Sequence, residues 1–157
     1  MPTTGASAPV NEWRRGEDLV SDDPSRLDVG AITEFIAGRS YWASGIPRET
    51  MARAIANSLC FGLYRGARQI GFARVVTDRA TFGYLCDVFV EESERGGGLG
   101  KWLVECVLEH PDLQGLRRLS LMTRDAQPLY MRYGFRPLAD PARYLEIHRP
   151  NVYNATT

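Results

Sequence analysis

Apolar residues recur along this chain in two periods, and the switch between them divides it into elements. Behind Asp28, which can cap a helix, Val29, Ile32, Phe35 and Ile36 fall at helical spacing. A second helix is expected from Pro47, a favoured first-turn residue, through Met51, Ala54, Ile55 and Ser58. The texture then changes. Residues 59–64, 69–76 and 81–90 are rich in aromatic and β-branched side chains and are separated by turn residues, which predicts an antiparallel meander. Leu99, Trp102, Leu103, Cys106 and Val107 lie at i, i+3, i+4, i+7 and i+8, one buried helical stripe, and Pro111 forces that helix to stop near Glu109. Beyond it a strand over 116–123, a short helix over 126–132 ended by Gly134 and a last strand over 143–147 are expected.

Composition adds few constraints. The 157 residues suit a single domain, expected over 17–149 between a flexible tail at 1–16 and another at 150–157. Nineteen basic and nineteen acidic residues cancel, and no long run of one sign points to nucleic acid or a membrane. The N-terminus lacks the basic and apolar regions of a signal peptide. Cys60, Cys86 and Cys106 are too few and too scattered for a disulfide framework or a zinc site, so no metal and a reducing, cytoplasmic setting are expected.

The chemistry concentrates where the third strand meets the third helix. There Arg95-Gly96-Gly97-Gly98-Leu99-Gly100-Lys101 forms a glycine-rich turn. At a helix start the first N–H groups lack partners and the dipole adds positive potential, so such a turn is suited to a pyrophosphate. A Walker loop is excluded, because Arg95 stands where its first glycine would be and Trp102 where its hydroxyl would be. The dinucleotide fingerprint fails as well, since from Gly96 the third glycine falls on Lys101. What remains, Arg-x-x-Gly-x-Gly following Val90, resembles the signature of the GNAT acetyltransferase superfamily. Downstream, Leu129-Tyr130-Met131-Arg132-Tyr133-Gly134-Phe135 is similar to a second family segment, Leu-Tyr-x-x-x-Gly-Phe. The resemblance covers about residues 17–149 and implies an α/β (α+β) GNAT fold: a mixed twisted sheet of six to seven strands flanked by about four helices.

It also implies a reaction. Acetyl-CoA would lie with its pyrophosphate on Arg95, Gly96, Gly97, Gly98, Leu99, Gly100 and Lys101 and its pantetheine arm along Val88, Phe89 and Val90. Tyr130 would be the general acid, since a phenol with reference pKa about 10 stays protonated at neutral pH and can donate to a departing thiolate; packing of a short helix is the alternative. Tyr84-Leu85-Cys86-Asp87-Val88-Phe89-Val90 is similar to the Tyr-Leu-Glu-Asp-x-x-Val of diamine acetyltransferases, with Cys86 in place of their glutamate base. Asp87 is a candidate for that base, ordered water beside Tyr84 its rival and a structural role equally open. Simple alternation sets Asp87 on the face opposite Tyr84 and Cys86 unless a bulge intervenes. Tyr41 and Trp42, with Phe82 and Tyr84, would wall an acceptor pocket, or Tyr41 and Trp42 would plug the core.

The expectation is an acetyl-CoA-dependent N-acetyltransferase acting directly on a primary amine of a small molecule or peptide. The alternative is a non-catalytic acyl-CoA-binding regulatory module on the same scaffold. A monomer and a homodimer both stay open.

Overall fold

The computed structural model of the protein describes residues 8–154. It begins with a hairpin of β1 (Glu12–Arg15) and β2 (Asp18–Ser21), turning at Gly16 with φ 60°. Residues 12–15 therefore belong to the sheet and not to the expected tail, of which 1–7 lie outside the described residues, as do 155–157. Periodicity could not announce β1, because Trp13 is its one apolar side chain and arginines occupy an edge that charge keeps from further pairing. What holds the hairpin is distant in sequence. Asp22 accepts the Asn11 backbone N–H at 2.8 Å and bonds His110 Nε2 at 2.8 Å, while Trp13 Nε1 donates to Glu109 at 3.0 Å.

Helix α1 (Val29–Arg39) starts where Asp28 accepts the Ala31 N–H at 3.0 Å, a cap worth about 1 kcal/mol. Helix α2 (Arg48–Ala56) follows Pro47 and buries Met51 and Ile55. Both helices pack with Ile46, Cys60, Phe72 and Phe89 into one apolar layer. The meander is present as β3 (Leu59–Arg65), β4 (Arg68–Thr77) and β5 (Phe82–Val90), antiparallel throughout. Asp78 shapes the β4–β5 turn by accepting the N–H groups of Ala80, Thr81 and Phe82.

Helix α3 (Leu99–Glu109) covers the opposite face of the sheet. Leu99, Leu103, Cys106 and Val107 meet Phe61, Leu63, Ile70, Val75, Leu85 and Val90 in a second apolar layer. The chain returns as β6 (Arg118–Leu121), parallel to β5, a pairing that requires such a crossover. A short α4 (Gln127–Met131) follows, giving a six-stranded sheet in the order β1-β2-β3-β4-β5-β6.

The expected last strand does not form. Pro141–Arg143 is a 3₁₀ turn, and the residues after it run unpaired, with Leu145 89% and Ile147 84% exposed. Pro137 and Pro141 have no N–H to donate and fix φ, which works against a continuous ladder along β6.

Candidate active site

The site is organised by a break in the β4–β5 ladder. Phe72 pairs with Phe89 but Arg74 pairs with Cys86, so β5 carries extra chain opposite Ala73. Asp87 absorbs it with φ 53°, a left-handed conformation uncommon outside glycine. Alternation is thereby reset. Leu85 and Val90 face α3, whereas Phe89 faces α1 and Asp87 turns to the α1 side as well, against the expectation from simple alternation.

There Asp87 is 6% exposed and both its oxygens are engaged. Oδ1 accepts Trp42 Nε1–H at 2.7 Å, and Oδ2 accepts Arg74 Nε–H at 2.8 Å. Arg74 is in turn held by Ser58 Oγ at 3.1 Å. The carboxylate is thus one half of a buried ion pair, and taking away either partner would leave the other without its counter-charge. Asp87, the candidate for the base, is in direct contact with Trp42 and Arg74. Cys86 beside it is no substitute, since burial pushes its thiol up to about 12.

The glycine turn opens α3. Gly96 and Gly98 take φ of 96° and 79°, and Gly98 is the N-cap residue, with no side-chain cap bond. The first helical bond runs from Trp102 N–H to Gly98 O, so the N–H groups ahead of it are not spent within the helix. A Cβ added at Gly96, Gly97 or Gly98 would meet nothing within 4 Å, so open space lies in front of the turn. Arg95 braces the approach, its Nε–H donating to Val90 O at 3.0 Å. Two of the acidic neighbours are drawn off: Glu91 forms a bidentate pair with Arg39, and Glu94 pairs with Arg65 and Arg68.

β6 ends opposite Leu85, so β5 continues to Val90 without a strand on that side. Two cavities occupy the gap. One, of about 570 Å³, runs from Arg95, Gly96, Gly98, Leu99, Gly100 and Lys101 along Val88, Phe89 and Val90 to Tyr130. The other, of about 460 Å³, is lined by Tyr41, Trp42, Tyr84, Cys86, Asp87, Arg124 and Tyr130 among others. Trp42, Val88 and Tyr130 belong to both. Tyr130 stands edge-on to Phe135 at 5.7 Å, and burial, then Tyr41, raises its hydroxyl above the ordinary phenol value.

All the expected pocket residues but two are therefore brought to this gap. Phe82 sits at the far end of β5 opposite Arg118, 44% exposed, and lines neither cavity. Gly97 belongs to the turn but not to the cavity wall. Tyr41 and Trp42, 50% and 43% exposed, act as wall and not as plug.

Known proteins share this fold. The family model described as an acetyltransferase (GNAT) domain matches residues 56–137, from the end of α2 past α4. A Gibberella zeae protein named as an acetyltransferase is 36% identical over 140 residues, covering 75% of this chain and 78% of that protein. The chain belongs to the GNAT acetyltransferase family. A solved Xanthomonas campestris pv. campestris protein, described as belonging to the same family, is 48% identical with a TM-score of 0.86, covering 88% of this chain and 97% of its own. A Clostridium acetobutylicum acetyltransferase solved with acetyl-CoA shares the fold at 16% identity, TM-score 0.59, over 89% and 96% of the two chains.

Sequence reasoning missed two residues of the candidate site. Arg74 joins Asp87 only through the bulge, and Arg124 reaches the second cavity by stacking its guanidinium over Tyr41 at 3.9 Å. A lone arginine in a β-pattern such as Gly71-Phe72-Ala73-Arg74-Val75-Val76 was the available signal for the first, since an interior strand rarely carries an unpaired charge. Nothing local marked the second.

Proposed function

We propose that the protein transfers an acetyl group from acetyl-CoA directly to a primary amine of a small molecule or peptide. One observation carries the reading: the free start of α3, the unpaired edge of β5 and Tyr130 line a single cavity, which meets a second at Trp42, Val88 and Tyr130. The N–H groups at the start of α3 suit the CoA pyrophosphate, and the empty space before Gly96, Gly97 and Gly98 leaves room for it. Residues 88–90 offer backbone groups to the pantetheine amides as an added strand would.

The thioester would then sit where the cavities join. An amine entering past Tyr41 and Trp42 attacks from the other side, and a backbone N–H of the splayed β5 steadies the developing oxyanion. Tyr130, a phenol already protonated at neutral pH and raised further by burial, donates to the departing thiolate. With Asp87 committed to Arg74 and Trp42, the amine's proton leaves through water beside Tyr84, a half-buried residue of the acceptor cavity. The three free cysteines are in keeping with a reducing compartment such as the cytoplasm.

The absence of a glutamate at Cys86 favours a second reading, a non-catalytic module that binds acyl-CoA. The position of Tyr130 in the wall shared by both cavities argues for catalysis. Tyr130→Phe separates the two. Turnover is expected to fall about a hundredfold with acetyl-CoA affinity within about twofold of the parent, in line with the worth of a general acid. Unchanged turnover in steady-state kinetics would remove Tyr130 as the acid.

A further inference from the structure

The acceptor-side cavity has ionisable groups of both signs, and their surroundings decide which remain available to a ligand. Asp87 is not available: Arg74, its side chain 17% exposed, cancels its charge inside the wall, and Trp42 takes its other oxygen. Cys86 is a neutral thiol, pushed up to about 12 by burial. Arg124 and Asp125 are left at the mouth. They face each other at 3.9 Å with side chains 64% and 71% exposed, a geometry in which the pair contributes almost nothing and water holds both groups.

Of these two, only Arg124 is set in place. Its guanidinium lies over the Tyr41 ring at 3.9 Å, and its backbone N–H donates to the Tyr41 hydroxyl at 3.1 Å. Tyr41 itself stands edge-on to Trp42 at 5.1 Å, and Trp42 is fastened to Asp87. A chain of contacts thus runs from the buried Arg74–Asp87 pair to the cation at the rim. Stacking uses only the face of a guanidinium. The in-plane N–H donors remain, in the fork that matches a carboxylate.

We propose that Arg124 is a specificity residue that binds a carboxylate carried by the acceptor, so that the preferred acceptors are amines bearing an acid group, of the amino-acid class. The assignment rests on the transferase reading above and names its second substrate. A polyamine would find Asp87 already neutralised and, at the entrance, a fixed cation beside the unanchored carboxylate of Asp125.

The test compares α-amino acids with their carboxamides and with spermidine, following CoA release from acetyl-CoA by the full chain. The expected kcat/KM for the best amino acid exceeds that of its carboxamide by about tenfold to a hundredfold, the range of a hydrogen-bonded charge pair. In Arg124→Gln, which keeps the backbone bond to Tyr41, that ratio collapses toward one through KM, and Arg124→Lys restores part of it. Acetyl-CoA affinity serves as the folding control. Equal or better use of carboxamides or spermidine, or a ratio unmoved by Arg124→Gln, overturns the proposal. Calorimetric titration of the CoA-loaded protein with the same pairs reads the site without turnover. A carboxylate preference lost in Arg124→Gln then upholds the subsite even if no acetyl is transferred, and equal binding of both members, or of neither, overturns it.

Discussion

Asp87 is bound in a left-handed backbone conformation with both carboxylate oxygens occupied, a state that costs of order 1–3 kcal/mol in strain and is held by the pair with Arg74. Removing one partner of such a buried pair typically costs about 3–5 kcal/mol. The pair also fixes position: the residue that looks like a base from its neighbours in sequence holds Trp42 in the cavity wall. The thiols show the same primacy of environment. Cys60, Cys86 and Cys106 are each pushed up to about 12 by burial from a reference of 9.0, so the folded chain keeps protons that the unfolded chain releases above pH 9. The unfolded state then binds fewer protons than the native one, and stability falls as pH rises. Full thiol-linked stability is expected below pH 9, with a progressive loss toward pH 12. The midpoint of urea unfolding should be flat from pH 7 to about 8.5 and decline from there to pH 11. A midpoint that holds to pH 11 would show that the thiols are not shielded as described.

At the scale of elements, what was legible in the sequence is what short-range chemistry decides. Asp28 and the 3.6-residue stripes announced α1 and α3, turn residues delimited β3, β4 and β5, and the glycines placed the start of α3. The elements that were misread depend on partners far along the chain. β1 needs Asp22 and His110, 88 residues apart, and a strand over 143–147 would need a neighbour along β6 that the chain does not take up. Within the site the same division holds: the turn and Tyr130 were readable from motifs, whereas the Asp87–Arg74 pair needs a bulge and the Arg124–Tyr41 stack joins residues 83 apart. The start of α3 gives the prediction proper to an element. Gly98→Glu places a side chain and a negative charge where φ is 79° and the anion would sit, and acetyl-CoA binding should disappear in a calorimetric titration. Gly98→Asn, which tolerates that φ, should keep most of the affinity. Normal affinity in Gly98→Glu would sink the assignment of the turn.

Across the whole molecule, one sheet separates two apolar layers, with α1 and α2 on one face and α3 on the other. The gap between β5 and β6 is where both faces communicate, and the two cavities open from it on either side of Trp42, Val88 and Tyr130. A donor and an acceptor entering from opposite sides would meet there without either passing through the core. That arrangement suits direct transfer, because the thioester and the amine would need no covalent enzyme intermediate to come into contact. The measurement that tests it most directly is chromatographic detection of CoA released from acetyl-CoA by the full chain, against separate pools of amino acids, polyamines, aminoglycosides and peptides. Release with at least one pool, matched by the acetylated amine, is the predicted result. Acetyl-CoA that binds but yields no free CoA with any pool would contradict direct transfer and leave the protein as an acyl-CoA binder.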